Sequence, residues 1–212
     1  MSKEQDDNGW LDPRAAEGQL LQVEKALKKD PLDVPPFRAF LEAMRYIDIQ
    51  HGTLIDVGCG VGGYAALVDR FFPYICYLGY DISPHMIELA RKHFGFRFFV
   101  RDALELELGA TIILASSLIE TCPNWRHVLQ HLCSLQFRWL ILNRIRLWND
   151  PDHPATERVY TTIYKVPSFE AVHNLGELTE LIGQAGAKIT HTIIYQAEPE
   201  TRLVCLLLEK GD

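Results

Sequence analysis

Short apolar runs alternate with segments of helical apolar spacing from Gly52 to the end of the chain. Near-continuous apolar runs are typical of parallel strands buried on both faces, and the amphipathic segments between them are typical of the covering helices. The runs predict strands at residues 53–57, 77–81, 96–101, 111–115, 139–143, 188–196 and 202–209. The intervening segments predict helices at residues 62–71, 84–94, 124–135 and 175–185. The pattern therefore predicts an α/β fold with a seven-stranded, mostly parallel, doubly wound sheet.

The connection between the last two predicted strands differs from the others. Only a short polar turn around Glu198, Pro199 and Glu200 separates them. A parallel crossover needs a dozen or more residues, whereas such a turn can join an antiparallel pair. We therefore expect a C-terminal antiparallel hairpin.

Two helices are expected before the main domain. Residues 1–16 are predicted to form a mobile or loosely docked tail, and apolar spacing predicts helices at residues 16–29 and 36–47. A pair of prolines breaks the chain between these helices, since proline cannot continue a helix interior. Residues 1–50 are thus expected to form a tail with N-terminal capping helices, and residues 51–212 the main domain.

Composition limits the class and the environment of the protein. The chain is 48% hydrophobic and 23% charged, which is ordinary for a globular domain. It shows no apolar run of membrane-spanning length and no signal-peptide core, so we expect a soluble, cytoplasmic protein without membrane association. Five scattered cysteines without a CxxC pair fit reduced thiols. A formal net charge of −7 without a basic cluster argues against nucleic acid and favours a small-molecule substrate.

The strongest chemical signal is the glycine-rich segment IDVGCGVGGY at residues 55–64, between a predicted strand and a predicted helix. Gly58, Gly60 and Gly62 allow a sharp turn and a close approach of the backbone to a ligand, and the helix start presents unpaired N–H groups. The same segment satisfies GxGxxG through Gly58, Gly60 and Gly63, so a dinucleotide site is an alternative. A glycine-rich turn without a ligand is a second alternative.

An acidic residue follows at the end of the next predicted strand. Asp81 lies about twenty residues past the glycines, which is the spacing expected of a carboxylate that binds ribose hydroxyls. An ionised carboxylate can accept hydrogen bonds from both hydroxyls of a cis-diol. Ser83 and Pro84 then fit the cap and the first position of the next helix. A surface acid beside a helix start is the alternative interpretation of Asp81.

Together, the segments IDVGCGVGGY, YLGYDISPHMIELARKHF and FRFFVRDALE resemble three successive motifs of the class I S-adenosylmethionine-dependent methyltransferases. The resemblance is dense over residues 53–120 and looser afterwards, and the C-terminal hairpin also fits the fold of that family. It implies S-adenosylmethionine as the cofactor and residues 51–212 as the methyltransferase domain that binds it. The acid before the glycines and the terminal hairpin favour this family over nicotinamide-dependent enzymes.

The resemblance also implies roles for individual residues. The loop with Gly58, Cys59, Gly60 and Gly62 would line the methionine and ribose portion of the cofactor, and Asp56 would lie near the methionine amino group or brace the loop. The other implied contacts are Asp81 with the ribose, Ile82 and Met86 with the adenine, Asp102 with the adenine amino group, Ala103 with the base, and Ser116 with the sulfonium region.

The end of the fourth predicted strand narrows the chemistry. Residues 115–120 read ASSLIE, without the NPPY or DPPY signal of methylation on amide or nucleobase nitrogens, and the PCQ loop of cytosine methylation is also missing. Ser116 stands where catechol-type enzymes carry a metal-binding acid. His127 and His131 share one face of a predicted helix but lack a clear third zinc ligand. We expect metal-independent transfer to an oxygen or nitrogen of a small molecule, with no bound metal and no catalytic residue assigned.

Residues 143–151 and 160–166 belong to a connection that is longer than the fold requires and mixes basic and aromatic side chains. Long connections of this kind beside a sheet often bind substrate, so Arg144, Tyr160 and Tyr164 are candidate acceptor contacts. An exposed strand or hairpin inserted before the last helix is an equally good interpretation. The alternative functions are a catalytically inactive cofactor-binding or scaffold protein and an NAD-dependent oxidoreductase.

Overall fold

The structure, a computed structural model, describes residues 9–162 and 164–210. The helices in these residues are α1 (Pro13–Leu27), α2 (Pro35–Arg45), α3 (Gly63–Phe71), α4 (Pro84–Phe94), α5 (Trp125–Ser134) and α6 (Leu175–Gln184). The strands are β1 (Gly52–Val57), β2 (Ile75–Asp81), β3 (Phe98–Val100), β4 (Ala110–Ser116), β5 (Phe137–Trp148), β6 (Thr156–Thr161), β7 (Pro167–Val172), β8 (Ala187–Ala197) and β9 (Thr201–Lys210). Short 3₁₀ turns lie at Gly9–Leu11, Pro31–Asp33 and Ala103–Glu105.

The main sheet has seven strands in the order β3-β2-β1-β4-β5-β9-β8. Strands β1 to β5 are parallel, and β9 lies antiparallel between β5 and β8. This arrangement confirms the predicted sheet and its C-terminal hairpin. The strand order reverses between β1 and β4, and ligands of open α/β sheets bind outside the carboxyl ends of the strands at such a point.

Two layers of buried side chains cover the sheet, because successive residues of a strand point to opposite faces. In β1, Ile55 belongs to the layer that includes α5 and α6, whereas Leu54 belongs to the layer that includes α2 and α3. Trp125 of α5 and Phe40 of α2 are fully buried in these layers. The near-continuous apolar strands of the sequence follow from burial on both faces. Among the described residues, no helix has both the length and the apolar character of a membrane span.

The N-terminal segment is docked more closely than predicted. Helix α1 begins at Pro13, earlier than expected, and the Asp12 side chain caps it. Ala15 and Ala16 are buried. The prediction of a loosely docked tail is therefore wrong from Gly9 onward, and the residues before it lie outside the described residues.

The region after the parallel strands also differs from the prediction. Strand β5 continues to Trp148, because Ile145 and Leu147 are fully buried and pair with β9. Strands β6 and β7 form a separate two-stranded hairpin before α6, which is the structural alternative for this stretch. The hairpin gives little apolar signal in the sequence, since β6 is mostly exposed and its Val159 is 75% exposed.

Candidate functional site

A cavity of about 460 Å³ opens at the carboxyl ends of β1, β2, β4 and the parallel part of β5. Its size lies within the ~300–1,000 Å³ typical of small-molecule sites. All residues predicted to bind cofactor or acceptor line it, except Asp56 and Gly62. The predicted residues in its wall are Gly58, Cys59, Gly60, Asp81, Ile82, Met86, Asp102, Ala103, Ser116, Arg144, Tyr160 and Tyr164.

One part of the wall, which we call the loop half, consists of the turns at residues 58–63, 81–86 and 101–103. Its glycine loop holds Gly58, Gly60 and Gly62 at φ of +73°, +53° and +85°. Glycine adopts these left-handed angles at little cost, whereas a Cβ would crowd the following carbonyl. A Cβ at Gly62 would also lie 2.7 Å from the Phe98 ring. Gly62 is therefore needed for close packing behind the cavity wall, and it does not line the cavity.

Asp81 connects the glycine loop to the end of β2. Its Oδ2 accepts a hydrogen bond from Gly60 N–H at 2.8 Å, and its Oδ1 accepts one from Ser83 N–H at 2.8 Å. Burial raises the pKa of Asp81, and these two backbone donors oppose that rise. Each carboxylate oxygen keeps a second lone pair, and Asp81 lines the cavity. The side chain can therefore shape the loop and still accept hydrogen bonds from a ligand diol.

The far end of the loop half combines apolar side chains with one acid. Ile82 is 37% exposed, whereas Met86 is buried. Asp102 precedes the 3₁₀ turn Ala103–Glu105 and caps it, with its Oδ1 accepting a hydrogen bond from Leu104 N–H at 2.9 Å. A partly exposed acid beside apolar side chains suits a flat aromatic ring that carries a hydrogen-bond donor at its edge.

Asp56 lies behind the loop half and not in the cavity wall. Its side chain is fully buried, and its Oδ2 accepts a hydrogen bond of 2.5 Å from the Tyr77 hydroxyl. Burial raises the pKa of Asp56 to about 7, because the ionised carboxylate would lose its hydration. This hydrogen bond goes to β2 and not to the glycine loop, so both interpretations of Asp56, a position near the methionine amino group and a brace of the loop, stay predictions.

The second part of the wall, which we call the hairpin half, consists of Tyr64, Ser116, Arg144, Tyr160 and Tyr164. Buried Asn143 donates hydrogen bonds from Nδ2 to the Tyr64 hydroxyl at 2.7 Å and to the Pro36 carbonyl at 3.0 Å. Because Tyr64 accepts from Asn143, its own hydroxyl hydrogen is available to Ser116 Oγ at 3.0 Å. Burial raises the pKa of Tyr64 to about 12, so this hydroxyl stays protonated at neutral pH.

Arg144 enters the hairpin half from a β-bulge in β5. Between Leu142 and Ile145, the two residues Asn143 and Arg144 oppose a single residue of β9. Arg144 has a left-handed φ of +64°, and its N–H donates a hydrogen bond to Asn143 Oδ1 at 3.0 Å. Bulges re-aim side chains and occur often beside active sites.

Helix α1 and the β6–β7 hairpin also line the cavity. Gln19 Oε1 accepts a hydrogen bond of 2.9 Å from the backbone of the glycine loop. Trp10 packs edge-on against Tyr164, with 6.2 Å between ring centroids. Burial raises the pKa of Tyr160 and Tyr164, and the charge of Arg144 opposes that rise in both. The guanidinium therefore lies close enough to both phenols for its positive charge to lower their pKa.

Sequence reasoning missed Gln19, Tyr64 and Asn143. Tyr64 directly follows the glycines and Asn143 ends the predicted part of β5, so both stand at the carboxyl edge of the sheet, where ligands of such folds bind. That placement could have identified them. Gln19 carries no local signal, because it is remote in sequence from the loop that it contacts.

The histidine pair of α5 is not arranged as a metal site. His131 Nε2 is 2.9 Å from the Leu106 carbonyl and hydrogen-bonds to it, and His127 is exposed. Within residues 9–162 and 164–210, no group of three or more His, Cys, Asp or Glu side chains is placed to hold a metal ion.

Several known proteins similar to this chain are methyltransferases. A family model described as a methyltransferase domain matches residues 32–136. Trans-aconitate 2-methyltransferase of Escherichia coli O6:K15:H31 (strain 536 / UPEC) is 25% identical over 175 residues, which cover 79% of this chain and 67% of that enzyme.

Solved structures show the same fold. Magnesium protoporphyrin IX methyltransferase from Synechocystis PCC 6803, crystallised with S-adenosylmethionine, matches with a TM-score of 0.62 at 17% identity, over 89% of this chain and 84% of that one. An S-adenosylmethionine-dependent methyltransferase from Clostridium acetobutylicum ATCC 824 matches with a TM-score of 0.66 at 12% identity, over 92% and 99% of the two chains.

Proposed function

Because the chain belongs to the class I S-adenosylmethionine-dependent methyltransferases, we propose that it binds S-adenosylmethionine in the loop half of its cavity and transfers the methyl group to a small molecule in the hairpin half. The observation that carries this proposal is the combination of left-handed glycines with Asp81 at the carboxyl ends of β1 and β2. A backbone turn without side chains admits a ligand closely, and the adjoining acid can hold its ribose.

In this proposal the loop half holds the nucleoside of the cofactor. Asp81 accepts hydrogen bonds from the ribose hydroxyls through its remaining lone pairs. Ile82 and Met86 flank the adenine, and Asp102 accepts a hydrogen bond from the adenine amino group. The glycine loop then faces the methionine portion, and Asp56, which accepts a hydrogen bond from Tyr77, directly precedes that loop in β1.

The bound cofactor supplies a methyl group that is attached to a positively charged sulfonium. When the methyl group is transferred, the rest of the cofactor becomes a neutral thioether. The protein then has to align the acceptor with the methyl group and exclude water. Ser116 and Tyr64 are the polar groups of the hairpin half that hydrogen-bond to each other, and Asn143 fixes Tyr64 from the buried side. Helix α1 and the β6–β7 hairpin contribute side chains to the wall beside these groups.

We further propose that the transfer needs no metal ion. The carboxylates among the described residues of the cavity wall are Asp81 and Asp102, and both already accept hydrogen bonds from backbone N–H groups. Magnesium prefers carboxylate, water and phosphate oxygens in an octahedral shell. Ser116 offers only a neutral hydroxyl that is bonded to Tyr64, which makes it a poor ligand.

Isothermal titration with S-adenosylhomocysteine and with NAD tests the cofactor. We expect S-adenosylhomocysteine to bind at one site per chain and NAD not to bind. Binding of NAD in place of S-adenosylhomocysteine would refute the proposal and favour an oxidoreductase.

A transfer assay with methyl-labelled S-adenosylmethionine tests the reaction. Trans-aconitate is the first acceptor to assay, since the curated relative is named for it, and a panel of oxygen- and nitrogen-bearing metabolites follows. We expect label in an acceptor. Binding of S-adenosylhomocysteine without transfer to any acceptor would instead favour a cofactor-binding protein without activity.

A further inference from the structure

We propose that the acceptor is a carboxylic acid, that Arg144 binds its carboxylate, and that the methyl group is transferred to a carboxylate oxygen. This inference rests on the proposed function, because it concerns the second substrate of the same cavity. It is carried by the backbone of Arg144, by the absence of an ion pair of its guanidinium within residues 9–162 and 164–210, and by the groups around it.

The backbone of Arg144 is strained at a position that glycine would occupy without strain. Its φ of +64° brings the Cβ close to the following carbonyl, and glycine is the common residue at a left-handed bulge position. Asn143 holds this conformation by accepting the Arg144 N–H, and Tyr64 in turn accepts from Asn143. Strained backbone of this kind concentrates at ligand sites, which indicates that the arginine side chain is needed there.

The charge of Arg144 has no acidic partner in the described chain. Within residues 9–162 and 164–210, no carboxylate oxygen lies within 4.0 Å of its guanidinium. Arg146, in the same strand, is paired with both Glu170 and Glu198. Since Arg144 lines the cavity, its N–H donors are available to a ligand, and a guanidinium matches a carboxylate with two parallel hydrogen bonds.

Arg144 also lies beside the expected site of transfer. Ser116 at the end of β4 is the register partner of Asn143 in β5, and Arg144 follows directly. Ser116 is the residue for which the family resemblance implies proximity to the sulfonium. An anion bound by Arg144 is therefore held near the methyl group rather than at a remote end of the acceptor.

The side chains that share the hairpin half with Arg144 do not supply a base at neutral pH. Burial raises the pKa of Tyr64 and of Cys122 to about 12, and it raises the pKa of Tyr160 and Tyr164. Among the described residues, no histidine lines the cavity. An alcohol or a protonated amine must lose a proton to be methylated, whereas a carboxylate is already ionised at neutral pH.

Transfer to a carboxylate oxygen balances without a base. One O–C bond forms and one S–C bond breaks, and the electron pair of the broken bond stays on sulfur. The positive charge of the donor and the negative charge of the acceptor cancel, so no proton is released. The product is a methyl ester without the charge that Arg144 recognises, which favours its release.

Binding to the complex with S-adenosylhomocysteine gives the first test. Di- and tricarboxylates, benzoate and phenylacetate are each titrated beside their full methyl esters and beside phosphate monoesters. We expect at least one carboxylate to bind about tenfold or more tightly than its ester, and Arg144→Gln to weaken that binding roughly ten- to hundredfold, the range of one or two charge-assisted hydrogen bonds. A panel in which esters or phosphates bind as well as the carboxylates would overturn the inference.

Two further variants separate recognition from folding. Arg138→Gln removes an exposed arginine of the same strand that stacks on Trp139 at 4.1 Å outside the cavity, and it should leave all affinities unchanged. Arg144→Gly relieves the strained φ while removing the side chain, so its melting temperature should equal or exceed that of the wild type although carboxylate binding is lost. Retained carboxylate binding in Arg144→Gly would contradict a role in recognition. We expect all variants to bind S-adenosylhomocysteine as the wild type does. A loss of carboxylate binding then concerns the acceptor alone and not the cofactor binding that the proposed function requires.

The chemistry of the product gives the second test. The protein is incubated with methyl-labelled S-adenosylmethionine and a deproteinised small-molecule extract of bacterial cells, and the labelled products are treated with alkali. Carboxylate methyl esters hydrolyse and release the label as volatile methanol, whereas N-methyl groups and methyl ethers do not. Label that stays non-volatile would refute methylation on a carboxylate. A complete lack of labelled product would instead count against the proposed function, and the binding test would then decide the inference.

Discussion

The loop half and the hairpin half of the cavity are built in different ways. The loop half is made mainly from backbone: left-handed glycines, N–H groups and one acid, all within residues 58–103. The hairpin half is made from side chains that come from the glycine loop, β4, the bulge in β5 and the β6–β7 hairpin. Backbone tolerates changes of sequence around it, and exposed side chains on a fixed scaffold can be exchanged. One cavity thus combines a site suited to a constant ligand with a site suited to a variable one.

The largest effect is expected from a side chain in the loop half. Gly60→Val places a β-branched residue at a φ of +53°, with its Cβ 2.1 Å from Gln19 Oε1. We expect the affinity for S-adenosylhomocysteine to fall roughly a hundredfold, because left-handed backbone is strained for such a residue and the side chain enters ligand space. Titration calorimetry measures it, with Gly183→Ala as the control, since a Cβ at Gly183 meets no atom within 4 Å. Wild-type affinity in the valine variant would show that the ligand binds elsewhere.

A smaller effect that separates the halves is expected from the hairpin half. Tyr64→Phe removes the hydroxyl between Asn143 and Ser116. We expect turnover to fall about fivefold, as for the loss of one hydrogen bond of ~1 kcal/mol, while the affinity for S-adenosylhomocysteine stays unchanged. Tyr74→Phe, at a tyrosine that is 45% exposed outside the cavity, is the matched control. Equal losses in donor affinity and turnover would place Tyr64 in the donor site instead.

Both halves are backed by a buried acid. Asp56 lies behind the loop half, and Glu120, which is 5% exposed, precedes the cavity-lining residues Thr121 and Cys122 in the chain. Neither carboxylate oxygen of Glu120 has a hydrogen-bond partner within the described part of the chain. Burial raises the pKa of Glu120 to about 8, although Arg144 and Arg146 oppose that rise. At neutral pH the folded protein therefore keeps a proton on Glu120 that the unfolded chain has released.

This proton makes stability depend on pH. The pKa of Glu120 is higher in the folded state than its usual value of 4.5, so its contribution to stability is lost as pH rises through the folded pKa. His173, with its pKa lowered to about 3, acts mainly below this range, whereas Asp56, with its pKa raised to about 7, adds a smaller fall of the same sign. Between pH 7 and 8 we expect the free energy of unfolding to fall by about 1 kcal/mol. Urea unfolding at both values measures it, and Glu120→Gln should remove most of the fall; an equal fall in that variant would assign the proton to another group.

The smallest effect is expected from removal of metal ions. Since the acids of the wall already accept backbone hydrogen bonds, turnover with EDTA should equal turnover without it. A loss of activity that magnesium restores would identify ligands in the hairpin half and weaken the contrast with the loop half. The assay needs only the acceptor found in the transfer experiment.

The same contrast explains what could be predicted from the sequence. The loop half was predictable because each of its motifs is local: glycines after a strand, an acid at the next strand end, and a capped helix start after it. The start of α1 was also within reach, since Asp12 followed by Pro13 is a helix-start signal. It was missed because the polar N-terminus was interpreted as a tail.

The hairpin half was less predictable because tertiary contacts build it. Arg144, Tyr160 and Tyr164 were selected from the length and composition of a connection, and the cavity does bring them together. The positive φ of Arg144 depends on pairing with β9, more than fifty residues later in the chain. The contact of Gln19 with the glycine loop likewise joins distant segments. Local sequence patterns do not encode such pairings.

The bulge in β5 has a consequence for the evolution of this cavity. Leu140 and Leu142 before it, and Ile145 and Leu147 after it, all belong to the same core layer. In a regular strand, alternate residues face the same layer, so Leu142 and Ile145 would face opposite layers. The extra residue of the bulge restores Ile145 and Leu147 to the layer of Leu142. A chain without Arg144 would keep all four side chains in that layer and pair β5 with β9 without a bulge. The gain or loss of one codon at this position can therefore change which acceptors the protein recognises while its core stays in register.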